Sequence, residues 1–265
     1  MTGIDYATLK IDPPREHVQR VALNRPEAMN AVDTQMGRDL LDYFARLTAE
    51  PGDVRCVLLT GTGGKAFCAG GDLKERNGMS AAQWQAQHEL FERAFVTMME
   101  CPVPIVAALN GIAYGGGLEM ALTCDFIYAA RGARFALSEV RLGLMPGGCG
   151  TQNLARAVGE RRAKELVLTG SPFTAEEGVA WGAFNRACDP ASLEDEALAT
   201  ARTIAGNAPL SVRQAKKSIH YGMQMDLLTG YRFEIEAYNR LVDTEDRHEG
   251  VRAFNEKRKP DFKGR

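Results

Sequence analysis

The chain has 265 residues, of which 45% are hydrophobic and 25% are charged. This balance is typical of a globular protein large enough to bury a full core without disulfides or metals. Its 32 basic and 34 acidic residues give a net charge of −2, which does not favour binding to nucleic acid or to an anionic membrane. We therefore expect any anionic ligand to be bound by local groups.

The cysteines and the N-terminal segment bear on the compartment. The six cysteines lie far apart and form no C-x-x-C pair, a pattern typical of reduced thiols, so a cytoplasmic protein is expected. Residues 1–11 contain Asp5 and no apolar segment, so neither a secretory signal nor a transit peptide is expected. Prolines, Asn110, Glu119 and Asp125 interrupt the weakly charged stretch 101–130, which therefore predicts no membrane span.

The first half of the chain alternates between strand and helix patterns. Short apolar runs bounded by Gly, Pro or Asn predict buried strands at 18–23, 54–59, 103–109 and 125–129. Between them, helices are predicted over 33–48, with an Asp cap, and over 80–100, with a Ser cap. This alternation predicts a mainly parallel α/β core.

After Gly150 the pattern becomes almost continuously helical, and no further strand is predicted. We expect helices over residues 151–158, 160–169, 174–181, 193–206, 210–222 and 227–258. The last of these carry both apolar faces and many charges, so they must pack against another surface. We therefore divide the chain into a domain at 1–200 and a helical region at 201–265 that packs on a neighbouring subunit.

The first candidate for a functional loop is the turn-rich segment 61–75, directly after a predicted strand. It lacks the G-x-x-x-x-G-K-[ST] order of a nucleotide-binding loop. Gly70 and Gly71 would leave backbone N–H groups open to a ligand, because no side chain blocks the approach. The alternative is that a turn from strand to helix needs glycine in any case.

The second candidate is the segment 110–125, which runs from a strand through three glycines into a short apolar helix. The first amides of that helix have no partner within the helix and carry the positive end of its dipole, so they favour a developing oxyanion. Glu119 is the only charge in the first turns. An acidic residue there could equally serve only to complement the dipole.

The third candidate is the segment 135–152, in which Glu139 precedes an apolar stretch and a glycine loop. A surface salt bridge between Glu139 and Arg141 is the simpler alternative. Cys149 has no histidine near it in sequence, so we expect a small buried thiol and not a nucleophile. His88-Glu89 and His248-Glu249 lack the second histidine of H-E-x-x-H, so no metal site is predicted and these pairs are expected at the surface.

Five segments in order resemble the crotonase, or enoyl-CoA hydratase/isomerase, superfamily, and the match covers nearly the whole chain. They are residues 24–31 (Asn-Arg-Pro-Glu-Ala-Met-Asn-Ala), 69–73 (Ala-Gly-Gly-Asp-Leu), 115–119 (Gly-Gly-Gly-Leu-Glu), 146–148 (Pro-Gly-Gly) and 262–263 (Phe-Lys). The resemblance implies an α/β fold with a ββα spiral core and a helical C-terminal region that forms a homotrimer or a homohexamer. It also implies an acyl-CoA thioester substrate and no separate cofactor, since coenzyme A is part of the substrate.

The resemblance further implies a role for each matched position. The amides of Gly71 and Gly116 would form an oxyanion hole, Glu119 and Glu139 would be the two catalytic glutamates, and Gly147 would help to place a catalytic water. Seven other residues would bind the CoA moiety or close over it, the last two in the same or a neighbouring subunit: Arg25, Ala28, Ala69, Asp72, Leu73, Lys259 and Phe262.

Three positions depart from the family's usual residues: Gly71 stands where alanine is common, Ser138 where proline is common, and Cys149 where glycine is common. With both glutamates present, we expect hydration of a 2-enoyl-CoA to a 3-hydroxyacyl-CoA. A Δ3-Δ2 enoyl-CoA isomerase that uses Glu139 alone, or another acyl-CoA lyase of the family, is the first alternative. A catalytically silent or RNA-binding member is the second, and the balanced charge argues against RNA.

Overall fold

The computed structural model describes residues 4–265, so residues 1–3 of the N-terminal segment lie outside it. A six-stranded sheet forms one layer, in the order β1 (Leu9–Ile11), β2 (Val18–Leu23), β3 (Cys56–Gly61), β5 (Ile105–Leu109), β7 (Phe126–Ala130) and β9 (Arg186–Cys188). β1 pairs antiparallel with β2, and every other pair in this sheet is parallel. The predicted parallel α/β core is confirmed.

A second, smaller sheet lies beside the first. Its three strands, β4 (Ala66–Cys68), β6 (Ile112–Tyr114) and β8 (Phe135–Ala136), pair in parallel. Each follows a long strand of the first sheet, so the chain repeats a unit of two strands and a helix. The helices that follow are α2 (Leu73–Arg76) with α3 (Ala81–Glu100), then α4 (Gly116–Leu122), then α5 (Gly150–Val158). This arrangement is the expected ββα spiral, and it brings the turns after β4, β6 and β8 together.

The two helices predicted in the first half of the chain begin at their predicted capping residues. The Asp33 carboxylate accepts from the amide of Met36 at 2.8 Å and starts α1 (Thr34–Ala49). Ser80 and Gln83 form a capping box at the start of α3. α1 and α3 pack on each other, and their apolar faces fill the main core between the sheet and the helices. Burial of such side chains contributes about 1.5–3 kcal/mol each.

The second half is helical but contains one strand that the sequence analysis missed. Its helices are α6 (Glu160–Thr169), α7 (Ala175–Trp181), α8 (Leu193–Ala205), α9 (Pro209–Gly222), α10 (Leu227–Asn239) and α11 (Glu245–Asn255). The expectation of no strand after Gly150 was wrong, because β9 adds to the edge of the sheet beside β7. The single helix predicted over 227–258 is two helices, since Thr244 caps a new one by accepting from the amide of Arg247 at 3.2 Å.

The predicted boundary near residue 200 falls inside α8. Ala197, Ala201 and Ala205 of this helix are buried against the face of the sheet opposite the main core, beside Leu58 and Val106. Small side chains let the helix lie close to the strands. The division into 1–200 and 201–265 remains a prediction. Among the helices of residues 4–265, none is both long and apolar enough to cross a membrane.

Two buried carboxylates hold the C-terminal segment against α11. Asp246 accepts from the amides of Lys263 at 2.6 Å and Gly264 at 2.9 Å. Glu249 accepts from the amide of Asp261 at 3.0 Å and pairs with Arg258 at 2.6 Å. The expectation that Glu249 lies at the surface was wrong, because the backbone of the tail needs these acceptors.

Candidate active site

Two glycine amides meet where the turn after β4 faces the turn after β6. A Cβ placed on Gly116 would lie 3.8 Å from the amide nitrogen of Gly71. Gly70 has φ 99°, and a Cβ there would lie 2.8 Å from the carbonyl oxygen of Tyr114, so only glycine allows the two turns to approach this closely. Among residues 4–265, no acceptor is found for the amide of Gly71 or of Gly116. Both donors are therefore open to a ligand.

Glu119 lies on α4, one turn beyond Gly116, and is only 4% exposed. Its Oε1 accepts from the amide of Gly148 at 2.7 Å and from the amide of Gly150 at 2.9 Å. Burial raises the pKa of Glu119, while these two amides act in the opposite direction because they stabilise the charged form. The alternative of a residue that only complements the helix dipole does not account for these contacts.

Glu139 begins the 3₁₀ turn Glu139–Leu142, and its side chain points into the same space. A Cβ on Gly115 would lie 3.4 Å from its Oε1. Neither carboxylate oxygen has a hydrogen-bond partner among residues 4–265. Burial raises the pKa of Glu139 to about 7, and the nearby charge of Glu119 adds to the shift. The salt bridge with Arg141 was a wrong alternative, since Arg141 donates to the carbonyl of Thr169 at 3.3 Å.

A cavity of about 550 Å³ contains all four of these groups. Gly71 and Gly116 lie on its wall together with Glu119 and Glu139. The apolar part of the lining comes from α3, from the last residue of the 3₁₀ turn and from the segment that follows it. Its residues are Trp84, Phe91, Phe95, Leu142, Leu144, Met145 and Pro146. Two carboxylates and two open amides thus share one mainly apolar space, in which electrostatic interactions are stronger than in water.

His88 also lines this cavity, although its side chain is 38% exposed, so it is a surface residue on the cavity wall. Its Nε2 is 3.1 Å from a carboxylate oxygen of Glu92, one turn further along α3. A Cβ placed on Gly147 would lie 2.7 Å from the Cε1 of His88. The His-Glu dipeptide gave no sign of this position, because the direction of a helix face depends on tertiary packing.

Two of the three unusual residues sit in the loops that carry the glutamates. Ser138 has φ −106°, which the ring of proline does not reach. Cys149 precedes α5 with φ 71°, the left-handed region that favours glycine. Its side chain is half-buried, less than expected, and burial raises the pKa of the thiol. A raised pKa fits the expectation that Cys149 is not a nucleophile.

Residues expected to bind CoA differ in whether they line the cavity. Ala69 and Leu73 line it, as does Gly147, which was expected to place a catalytic water. Arg25 and Asp72 lie next to it and bind each other, with Nη1 and Nη2 of Arg25 each 3.0 Å from one oxygen of Asp72. Asp72 also caps α2 by accepting from the amides of the next turn. Ala28, in the 3₁₀ turn Pro26–Ala28, does not line the cavity.

The two C-terminal residues lie apart from the cavity of their own chain. Lys259 is exposed, and Phe262 is half-buried against α11, where a Cβ on Gly250 would lie 3.6 Å from its ring. The carbonyl of Phe262 accepts from Nη2 of Arg55 at 2.9 Å. Neither side chain lines the cavity that holds Glu119.

Arg76 is a cavity residue that the sequence analysis missed. It ends α2, lines the cavity beside Gly71, and stacks over Trp84 with its Cζ 4.3 Å from the ring centroid. In the sequence it belongs to the charged run Asp-Leu-Lys-Glu-Arg, which is typical of a solvated helix end. The one feature of the sequence that could have indicated a role for Arg76 in the cavity is Trp84, near the start of α3.

The chain matches a known protein family over most of its length. The model of the enoyl-CoA hydratase/isomerase family matches residues 14–265. The (E)-benzylidenesuccinyl-CoA hydratase of Thauera aromatica is 40% identical over 94% of this chain and 96% of its own length. The short-chain-enoyl-CoA hydratase of Clostridium acetobutylicum is 38% identical over 92% of this chain and 94% of its own length.

A solved structure shows the same fold. The enoyl-CoA hydratase of Bacillus anthracis superposes with a TM-score of 0.95 at 40% identity, covering 97% of this chain and all of the other. This chain belongs to the enoyl-CoA hydratase/isomerase family, which has the crotonase fold.

Proposed function

We propose that the protein adds water to the double bond of a 2-enoyl-CoA and forms a 3-hydroxyacyl-CoA. The observation that carries this proposal is the pairing of Glu119 and Glu139 in one cavity with the open amides of Gly71 and Gly116. Hydration needs a group that takes a proton from water, a group that gives one to carbon, and donors for the thioester oxygen. The cavity contains each of them.

The two amides act on the thioester. When water attacks the β carbon, electrons move towards the thioester carbonyl and negative charge develops on its oxygen. The amides of Gly71 and Gly116 bind that oxygen more strongly as its charge grows, so they lower the barrier and not only the energy of the bound substrate. One such donor contributes about 10²- to 10³-fold in rate.

The two glutamates move the protons. Glu119, whose charged form is stabilised by the amides of Gly148 and Gly150, orients the water and takes its proton as the oxygen bonds to the β carbon. Glu139 has no protein partner for its carboxylate and a pKa of about 7, so about half of the molecules carry its proton at neutral pH, and that proton goes to the α carbon. The proton on Glu119 must then return to Glu139 before the next turnover.

The relatives support the reaction more than they support a particular acyl group. Two of them are hydratases by name, one for benzylidenesuccinyl-CoA and one for short-chain enoyl-CoA esters. We propose that CoA is the carrier and that no separate cofactor takes part. Arg25 and Asp72 would hold the turn against which CoA bends, with Ala28, Ala69 and Leu73 beside it.

We also propose that the chain self-associates through its C-terminal helices, as a homotrimer or a homohexamer. Ile219, Met223 and Leu227 are 69%, 74% and 86% exposed in the single chain, and they lie together at the end of α9 and the start of α10. Exposed apolar groups of this size mark an interface. In such an assembly Lys259 and Phe262 would close the CoA pocket of a neighbouring subunit. Six free cysteines fit a reducing, cytoplasmic compartment.

The test of the reaction is an assay with crotonyl-CoA. We expect loss of the conjugated enoyl absorbance and a product heavier than the substrate by one water. Incubation with a 3-enoyl-CoA distinguishes the alternative, because an isomerase moves the double bond without a change in mass. Rapid isomerisation with no water addition would overturn the proposal in favour of an isomerase that uses Glu139.

A further inference from the structure

Arg76 places a positive charge inside the cavity, beside the oxyanion hole. A Cβ built on Gly71 would lie 3.1 Å from Nη1 of Arg76. The guanidinium contacts two aromatic rings, with its Cζ 4.3 Å from the centroid of Trp84 and 5.5 Å from that of Phe91. These rings hold the group in place through cation–π contacts and shield it from water.

This charge has no carboxylate partner. No Asp or Glu oxygen lies within 4.0 Å of Arg76 in the part of the chain that the structure describes, although Glu75 is its neighbour in sequence. Instead, Nε of Arg76 donates to Oε1 of the buried Gln87 at 2.7 Å. The Nε2 of Gln87 donates to Glu75 at 2.7 Å. A neutral amide therefore separates the guanidinium from the nearest acid, and its Nη atoms remain free.

The other acidic groups of the cavity do not pair with the positive charge of Arg76 either. Glu92 pairs with His88, Glu119 accepts from two backbone amides, and Glu139 has no hydrogen bond. Burial lowers the pKa of Arg76, which reflects the cost of a charge without a partner. Such a site binds an anion well, because Nη1 and Nη2 form a fork that matches a carboxylate.

Resting on the proposed function, we propose that Arg76 selects a substrate whose acyl group carries a free carboxylate a few bonds beyond the double bond. The thioester carbonyl would bind at the amide of Gly71, and the guanidinium lies next to that residue. An acyl group held there can reach Arg76 only through a short chain or branch. The substrate class is therefore a short 2-enoyl-CoA with a carboxylate at or near its far end.

The test compares two thioesters of equal shape. The first is 4-carboxybut-2-enoyl-CoA, and the second is 5-methylhex-2-enoyl-CoA, in which an isopropyl group replaces the carboxylate. We expect wild-type kcat/KM to be about 10- to 100-fold higher for the charged ester, the range for a hydrogen-bonded charge pair. This comparison needs no variant.

Variants assign the preference to the residue. Arg76→Met retains much of the side-chain packing and should abolish the preference for the charged ester. Arg76→Lys, which retains charge but loses the fork, should keep part of it. Arg93→Met removes an exposed charge from α3 outside the cavity and should leave the ratio at its wild-type value. Thermal unfolding checks that each variant is folded.

Each result leads to a different conclusion. A wild-type enzyme that prefers the neutral ester overturns the inference but leaves the hydratase proposal standing. If Arg76→Met slows both esters equally, Arg76 binds CoA phosphates or supports the fold, and the inference is again overturned. If the wild-type enzyme hydrates neither of these esters nor crotonyl-CoA, the proposed function itself fails.

Discussion

Glu119 and Gly148 are 29 residues apart in sequence, and the amide of Gly148 donates to Oε1 of Glu119 at 2.7 Å. This bond joins α4, which would supply one amide of the proposed oxyanion hole, to the glycine loop before α5. It fixes the carboxylate within the cavity and lowers the cost of its charge. The other oxygen of Glu119 can face a water, so the bond from Gly148 positions the carboxylate and stabilises its charged form.

The first prediction concerns the two glutamates. Glu119→Gln and Glu139→Gln, made singly, should each lower kcat for crotonyl-CoA by about 10²- to 10⁴-fold, because each removes one proton-transfer group. Affinity for CoA should change little. Stopped-flow or steady-state assays measure the rates, and calorimetry measures CoA binding.

Glu89→Gln serves as the matched control for these variants. Glu89 is exposed on α3 and does not line the cavity. Its replacement removes the same charge from the same protein. Near-normal turnover by either cavity variant would contradict the mechanism with two glutamates.

The second prediction concerns the pH profile of kcat/KM for hydration. If Glu139 gives a proton to the α carbon, the free enzyme must hold it protonated. Its pKa of about 7, raised chiefly by burial, implies that activity falls as pH rises through about 7. Measurement of kcat/KM from pH 5 to 9 tests for this decrease. The mechanism would be contradicted by activity that rises through this range.

The third prediction concerns stability and uses the same pKa. A carboxyl group whose pKa is higher in the folded protein than in the unfolded chain stabilises the fold at low pH, and that contribution is lost as pH rises through the folded value. For Glu139 the loss falls between its ordinary pKa of 4.5 and about 7. Glu139→Gln is neutral at every pH, so it should unfold at a higher temperature than wild type at pH 8.

At pH 4, below the ordinary pKa of 4.5, the two proteins should unfold at similar temperatures, since Glu139 is then mostly protonated in both the folded and the unfolded chain. Thermal scans at both pH values supply the comparison. A variant that is less stable than wild type at pH 8 would mean that the charged Glu139 has a partner in solution.

Strong local signals predicted the long elements of the fold. The apolar run at Val18–Leu23 and the Asp33 and Ser80 caps marked one strand and two helices closely. Strands of two or three residues, such as β8 and β9, were missed, because they are too short for a periodic pattern and form only by pairing with neighbours.

The residues of the candidate site also fall into those that the sequence predicted and those that it did not. Glu119, Glu139 and the glycines stood in recognisable motifs, and the fold brings them to one cavity. Arg76 and His88 could not be predicted from the sequence to line the cavity, because the sequence of a helix does not show in which direction a polar side chain points. Trp84 and Gln87, which contact Arg76, come from another helix, so only the packing of α2 on α3 reveals the contacts.

The last prediction concerns Gly117, where α4 packs on the end of β4 beside the proposed oxyanion hole. A Cβ on Gly117 would lie 2.2 Å from the carbonyl oxygen of Cys68, a buried backbone atom that cannot move freely. Gly117→Ala should therefore destabilise the protein by about 2 kcal/mol or more. It should also lower kcat, because any shift of α4 moves the amide of Gly116 and the side chain of Glu119 together.

Gly222→Ala is the control for this substitution, since a Cβ there meets nothing within 4 Å and α9 ends at that residue. Alanine is the better helix former, so this variant should be as stable as wild type or slightly more stable. Denaturant unfolding compares the two. If Gly117→Ala matched Gly222→Ala in stability and turnover, the start of α4 would not be fixed by its contact with Cys68. The oxyanion hole would then have to owe its geometry to the turns at Gly70 and Gly115 alone.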